Sequence, residues 1–200
     1  DDALSSFRDH AAQQGLHLDL KFNGSLVALQ DLNEGRCTIA GFHTLANVSS
    51  QSHIAHVYKP LLKPGLHKLI GFVKRTQGLL VKAGNPLNVQ SLKDVANGRF
   101  RYVNREMGTG TRLLLDELMI NQGIKPAQIQ GYDRQELSHS AVATCIASGQ
   151  ADVGLAIESA ALSSGLDFVP LASENYWLVC LKSALDSPPV QALRKQDRKS

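Results

Sequence analysis

Asn104-Arg105-Glu106-Met107-Gly108-Thr109-Gly110-Thr111-Arg112 is the stretch from which the fold is read. Before it, Phe100-Arg101-Tyr102-Val103 has the composition of a short buried strand. After it, Leu114/Leu118 and Leu115/Met119 stack four residues apart, as on one face of a helix. The stretch is therefore a strand-to-helix loop. Thr109 or Thr111 can cap the first helical turn, and Gly108 and Gly110 remove the Cβ atoms that would keep a ligand from the backbone N–H groups. Helix starts favour carboxylates, yet this one carries Arg112 and no acid before Asp116. A bound oxoanion would supply the missing negative charge. The competing reading is a glycine-softened turn with an ordinary threonine cap.

The remaining chain limits the alternatives. Its 200 residues suffice for one large domain or two lobes, and 43% hydrophobic with 20% charged residues is an ordinary globular balance. A net charge of +3, with scattered Lys and Arg, gives no basic stripe for nucleic acid. Cys37, Cys145 and Cys180 are odd in number, far apart and set in apolar runs, so they are expected to be buried free thiols in a reducing, cytoplasmic setting. No apolar run approaches the ~20 residues that span a bilayer, and no signal peptide is legible.

In chain order, a helix is predicted from Asp1 to about Gln14, and the alternating His17-Leu18-Asp19-Leu20-Lys21-Phe22 reads as a half-buried strand. A helix follows from Ser25 with Leu26, Leu29 and Leu32 on one face, closed by Gly35, and then a strand from Cys37 to Gly41. Together these read as a βαβ unit with a parallel sheet. Leu66–Val73 and Gly78–Val81 read as two strands separated by Lys74-Arg75-Thr76-Gln77. Ser91-Leu92-Lys93-Asp94 has the form of a capping box, and Ser138-His139-Ser140 caps a helix through Ala147. Phe168–Leu171 and Tyr176–Leu181 are two further strands, and Ser187-Pro188-Pro189 opens a basic C-terminal helix.

Residues 32–41 and 146–155 share one plan: helix end, glycine stop, polar pair and small-residue strand. Each copy follows a helix that begins at a serine, Ser25 or Ser138. The expected architecture is α/β with two lobes and a ligand cleft between them: lobe 1 from 1–78 and 175–200, lobe 2 from 79–174. Two extended crossings, with hinges at Gln77-Gly78 and Asn175-Tyr176, join them, and no single sheet runs through all the strands.

The run Tyr102 to Asp116, with Gly123-Ile124, Ile129-Gln130-Gly131-Tyr132, Ser138–Ala143, Ser148–Leu155 and Gly165–Leu171, resembles the periplasmic-binding-protein-like domain attached to helix-turn-helix regulators and molybdopterin-biosynthesis proteins. The match spans nearly the whole chain. It implies a type II binding-protein fold related to molybdate-binding transporter components, and hence a tetrahedral oxoanion, molybdate or tungstate, held between lobes. The implied role is the ligand-binding sensor domain of a transcriptional regulator. A binding module of a molybdopterin-biosynthesis enzyme and a transporter solute-binding protein are the alternatives. Family members begin with a strand and polar loop ahead of the first helix, whereas this chain starts at Asp1 beyond that loop, so a fragment of a longer protein is expected.

The candidate ligand-binding residues are Ser25, Thr109, Gly110, Thr111 and Arg112, with Tyr132, Ser138 and His139 as additions. The helix starts at Ser25, Thr109 and Ser138 carry hydroxyls and no first-turn acid. Arg112 has two readings, a counter-charge in the cleft or a partner for Asp116. No cofactor beyond the bound anion is expected. The expected partners are a small anionic ligand, DNA only through a helix-turn-helix domain outside these residues, and a second copy of the chain, with no membrane. Catalysis is not expected. His43, His53, His56 and His67 lack metal-ligand spacing, the glycine loop lacks the lysine of a nucleotide-binding loop, and no nucleophile is paired with a base.

Overall fold

The computed structural model describes residues 2–13, 15–47, 49–98 and 100–191. The chain runs α1 (Asp2–Gln13), α2 (Ser25–Asn33), β1 (Ile39–Leu45), α3 (His53–Tyr58), β2 (His67–Val81), α4 (Leu92–Asn97) and β3 (Tyr102–Arg105). It continues through α5 (Gly110–Gln122), a 3₁₀ turn (Pro126–Gln128), β4 (Gln135–Glu136), α6 (His139–Ala147), β5 (Val153–Ile157), α7 (Glu158–Ser163) and β6 (Asp167–Leu181).

The six strands form one mixed sheet in the order β1-β6-β2-β5-β3-β4. Its spine is the antiparallel pair β2 and β6, each 15 residues long. β1 pairs with the later half of β6, from Ile39↔Cys180 to Leu45↔Glu174. β5 pairs with the later half of β2, from Gln77↔Ile157 to Val81↔Val153, and β3 lies parallel to both β5 and β4. The two halves of the sheet thus meet where Thr76 opposes Ser173. Apolar clusters cover each half. On the β1 side they are Leu29, Phe42, Ile54 and Val179, and Phe7, Ile70, Leu178 and Val190; on the β5 side, Leu79, Leu115 and Leu155, and Val142, Ile146 and Ala156.

Several expectations are corrected. The sheet is continuous, because the crossings are strands and not linkers. Lys74-Arg75-Thr76-Gln77 was expected to break a strand but lies inside β2, where Arg75 opposes Glu174 and Gln77 opposes Ala172. Arg75 and Gln77 both donate to Glu174, about a hundred residues away in sequence. Residues 17–22 form no ladder: Leu18 does pack against the Phe7 cluster, so the alternation marks a face without a partner strand. The βαβ unit is likewise absent, since β1 runs antiparallel to β6. The C-terminal helix starts at Pro188, and its basic residues lie outside the described residues, as does Gln14.

Gly78 is held by close packing and not by flexibility. A Cβ there would lie 2.3 Å from the Val169 carbonyl oxygen and 2.6 Å from the Phe168 ring.

Candidate functional site

The start of α5 is built as its sequence dictates, and the construction uses up its hydroxyl. Thr109 is the N-cap: its Oγ1 accepts from the Arg112 N–H at 3.3 Å and donates to the Glu106 carbonyl at 2.7 Å. Gly108 adopts φ +81, a conformation glycine reaches without strain. Its carbonyl accepts from the Leu26 N–H at 3.3 Å, and a Cβ on Gly24 would lie 2.9 Å from the same oxygen. The start of α2 and the Gly108 turn therefore touch. Ser25 is buried at that contact, beside the Tyr58 hydroxyl, which completes no hydrogen bond of good geometry.

Thr111 and Arg112 leave the loop in different directions. The Thr111 Oγ1 is buried and accepts from Gln77 Nε2 at 3.0 Å. Arg112 is 5% exposed; its Nε is 3.4 Å from Asp116 Oδ1 and its guanidinium lies 4.0 Å over the Tyr132 ring. Tyr132 donates to the same Asp116 oxygen at 2.6 Å. Of the two readings of Arg112, the structure has the Asp116 pair, and Arg112 and Tyr132 brace each other within the β3 half. At α6, the Ser138 Oγ caps the helix, accepting from the Ala141 N–H at 3.0 Å and sharing a hydrogen bond with Ser140 Oγ at 2.9 Å. Neither α5 nor α6 has an acid in its first turn.

The residues that complete this junction were not read as site residues from the sequence. Glu174, fully buried on β6, binds Arg75 Nε at 2.8 Å and Gln77 Nε2 at 2.9 Å. Gln77 in turn reaches Thr111, so the network ties the spine of the sheet to the α5 start. Arg75 Nη2 also lies 3.1 Å from His43 Nδ1. The same His43 nitrogen lies 3.4 Å from Glu174 Oε1, so it stands between a guanidinium that only donates and a carboxylate that only accepts. Burial lowers the His43 pKa, against the pull of Glu174. For Glu174, burial alone would raise the pKa, but the contacts from His43, Arg75 and Gln77 outweigh it and hold the carboxyl at about 2. The His43 ring stacks on Tyr176 at 4.1 Å and closes against Gly110, where a Cβ would lie 2.7 Å from it.

Arg105 is a cation with no ion pair among the described residues; of the carboxylates, only the neighbouring Glu106 acts on its charge. It stands at the end of β3, donating from Nε to the Glu136 carbonyl at 3.3 Å and from Nη2 to the Leu137 carbonyl at 2.9 Å. Burial lowers its pKa. His139, at the start of α6, has a buried Nδ1 with no hydrogen-bond partner. Burial first, then the charges of Arg105 and Arg75, hold its pKa well below the ordinary value. Ser25, Thr109, Gly110, Thr111 and His139 thus come to one junction, with Ser138 at its edge, while Arg112 and Tyr132 turn away. Sequence signals existed for two missed residues: Arg105 sits in the loop itself, and Arg75 sits in a short polar run between two apolar ones.

Two α/β halves crossed by paired long strands, with helix starts and basic side chains meeting at the crossing, define a binding-protein architecture. The chain belongs to the PBP superfamily domain family, whose model matches residues 8–195. It is 40% identical over 162 residues to the YvgK protein of Bacillus subtilis (strain 168), covering 81% of this chain and 52% of that protein. The chain therefore spans about half of that relative's length. Among solved structures it is similar to the effector binding domain of QuiR in complex with shikimate, with a TM-score of 0.69, 16% identity and coverage of 99% and 88% of the two chains. It is also similar to a Clostridium perfringens structure with bound phosphate, assigned as a phosphate ABC transporter substrate-binding protein (TM-score 0.72, 14% identity, 96% and 87% coverage). At these identities the likeness is one of fold.

Proposed function

We propose that the chain binds a small anion at the junction between its two lobes, and that molybdate or tungstate is the first ligand to test. The observation that carries the reading is Arg105, a half-buried guanidinium that donates only to the Glu136 and Leu137 carbonyls and has no carboxylate closer than the charge of neighbouring Glu106, acting on His139 with its unpartnered Nδ1. An unneutralised cation in a low-dielectric setting is costly unless an anion joins it. The starts of α5 and α6, free of acids, add N–H dipoles of the same sign.

The charged groups alter the expected manner of binding. The Thr109 and Ser138 hydroxyls are committed to their caps, so Arg105, His139 and backbone N–H groups are the proposed anchors, with Ser25 on the opposite wall. A guanidinium suits a carboxylate as well as a tetrahedral oxoanion, and this specific observation favours a small organic acid as the second reading. We read the domain as a cytoplasmic sensor, joined in its parent protein to a DNA-binding or enzymatic partner.

A thermal-shift panel of molybdate, tungstate, sulfate, phosphate and small carboxylates tests the proposal. A true ligand at about 100 times its dissociation constant adds about 2.7 kcal/mol of stability. A flat panel would sink the reading.

A further inference from the structure

Resting on that reading, we propose that His139 takes up a proton when the cleft receives a dianion, so that ligand capture is coupled to proton uptake from solvent. His139 is the first residue of α6, and its Nδ1 is buried with neither donor nor acceptor opposite it. A buried imidazole nitrogen without a partner is costly, so the ring is arranged for a group that is not part of the chain.

The charges around His139 come from every strand that meets at the junction. Arg105 of β3 and Arg75 of β2 oppose its protonation, His43 of β1 opposes it weakly, and Glu174 of β6 favours it. Glu174 is already engaged by Arg75 and Gln77. Glu136 of β4, the acid nearest in sequence, is turned to the Cys145 thiol, 3.2 Å from its Oε1. His139 therefore faces positive charge from Arg105, and burial together with that charge favours the neutral imidazole.

A dianion beside Arg105 reverses that balance. It offsets the guanidinium, and its second charge favours the imidazolium, which can then donate from Nδ1 to the ligand. The proton comes from bulk water and no bond of the ligand breaks. The sign is fixed: binding raises the pKa of His139, so affinity is greatest at low pH and falls as pH rises through the raised value, by up to tenfold per pH unit.

The test is calorimetric titration of molybdate and of sulfate, neither of which carries a titrating proton near neutral pH, in buffers of different ionisation enthalpy. The expected result is a buffer-dependent enthalpy corresponding to uptake of up to one proton, lost in His139→Gln. The ¹⁵N shifts of the His139 ring should move to those of imidazolium on adding molybdate, which tests the idea without a variant. Binding with a buffer-independent enthalpy overturns the inference and leaves the anion reading standing. Uptake that persists in His139→Gln but vanishes in His43→Gln also overturns it. If neither anion, nor tungstate or phosphate, binds at all, this inference fails, and the anion reading fails with it unless a small carboxylate binds.

Discussion

Glu117 of α5 accepts a hydrogen bond from the backbone N–H of Ile54 at 2.9 Å, with both residues buried. The bond joins two bodies. α5 packs Leu114, Leu115 and Met119 into the β5 half of the sheet, while its opposite side gives Leu113 to the cluster of Leu29, Phe42 and Ile54 and Glu117 to the first turn of α3. Glu117→Ala leaves a buried N–H unsatisfied and is expected to cost about 1–3 kcal/mol. Glu117→Gln keeps an acceptor and should lose less. Denaturant unfolding measures the cost, and faster hydrogen exchange at the Ile54 amide locates it; unchanged exchange in Glu117→Ala would count against the role assigned to the bond.

Acid should weaken the fold through Glu174. Its carboxyl is lowered from 4.5 to about 2 in the folded protein, so the group contributes stability that is full above about 4.5 and is lost as pH falls through about 2. At roughly 1.4 kcal/mol per pH unit, the contribution is on the order of 3 kcal/mol. Glu174→Gln should flatten this part of the stability–pH curve. At neutral pH it should also destabilise, because Arg75 loses its buried partner. Urea titrations between pH 2 and 7 give both readings, and parallel curves for the two proteins would contradict the assignment.

Arg105→Gln and Thr109→Ala should separate ligand affinity from helix stability. Loss of a charge-assisted bond of about 1.5–3 kcal/mol predicts at least tenfold weaker anion binding for Arg105→Gln, with little change in unfolding. Thr109→Ala removes a cap and should cost about 1 kcal/mol of stability. Calorimetry and thermal unfolding of the same two variants decide it. The reverse pattern would return the site to the threonine hydroxyl.

Gly78→Ala is expected to destabilise the fold and not to stiffen a hinge. The added methyl meets the Val169 carbonyl at 2.3 Å, so β2 and β6 must part or bend, at a cost of about 1–3 kcal/mol or more. A variant as stable as the parent, with altered ligand affinity, would restore the hinge interpretation.

What could be read from the chain was mostly local. The loop at Gly108-Thr109-Gly110, the capping serines Ser91 and Ser138, and the start of α2 each announce themselves within four or five residues, and the structure has them at those places. The pairing of β1 with β6 has no local signature, because Ile39 and Cys180 meet only through the fold. Arg75 and Gln77 looked like a polar break because their partner, Glu174, lies on a strand read from its apolar residues alone. His43 resembled a solvated histidine, and its burial depends on the absence of a side chain at Gly110. Arg112 was drawn to the site by its position in the loop, although Asp116 and Tyr132 had the stronger claim on it.

The ladder between β1 and residues 174–180 of β6 also orders events during synthesis on the ribosome. β1 leaves the exit tunnel before the strand against which it belongs, with β2 to β5 between them in the chain. Until then Ala40, Phe42 and the face of α2 that packs on them have no sheet to cover, whereas β3, α5, α6 and β5 can assemble as soon as residue 157 is out. The nascent chain is thus expected to complete the β5 half before β1 finds its partner, leaving β1 and α2 exposed to chaperones and proteases until β6 emerges.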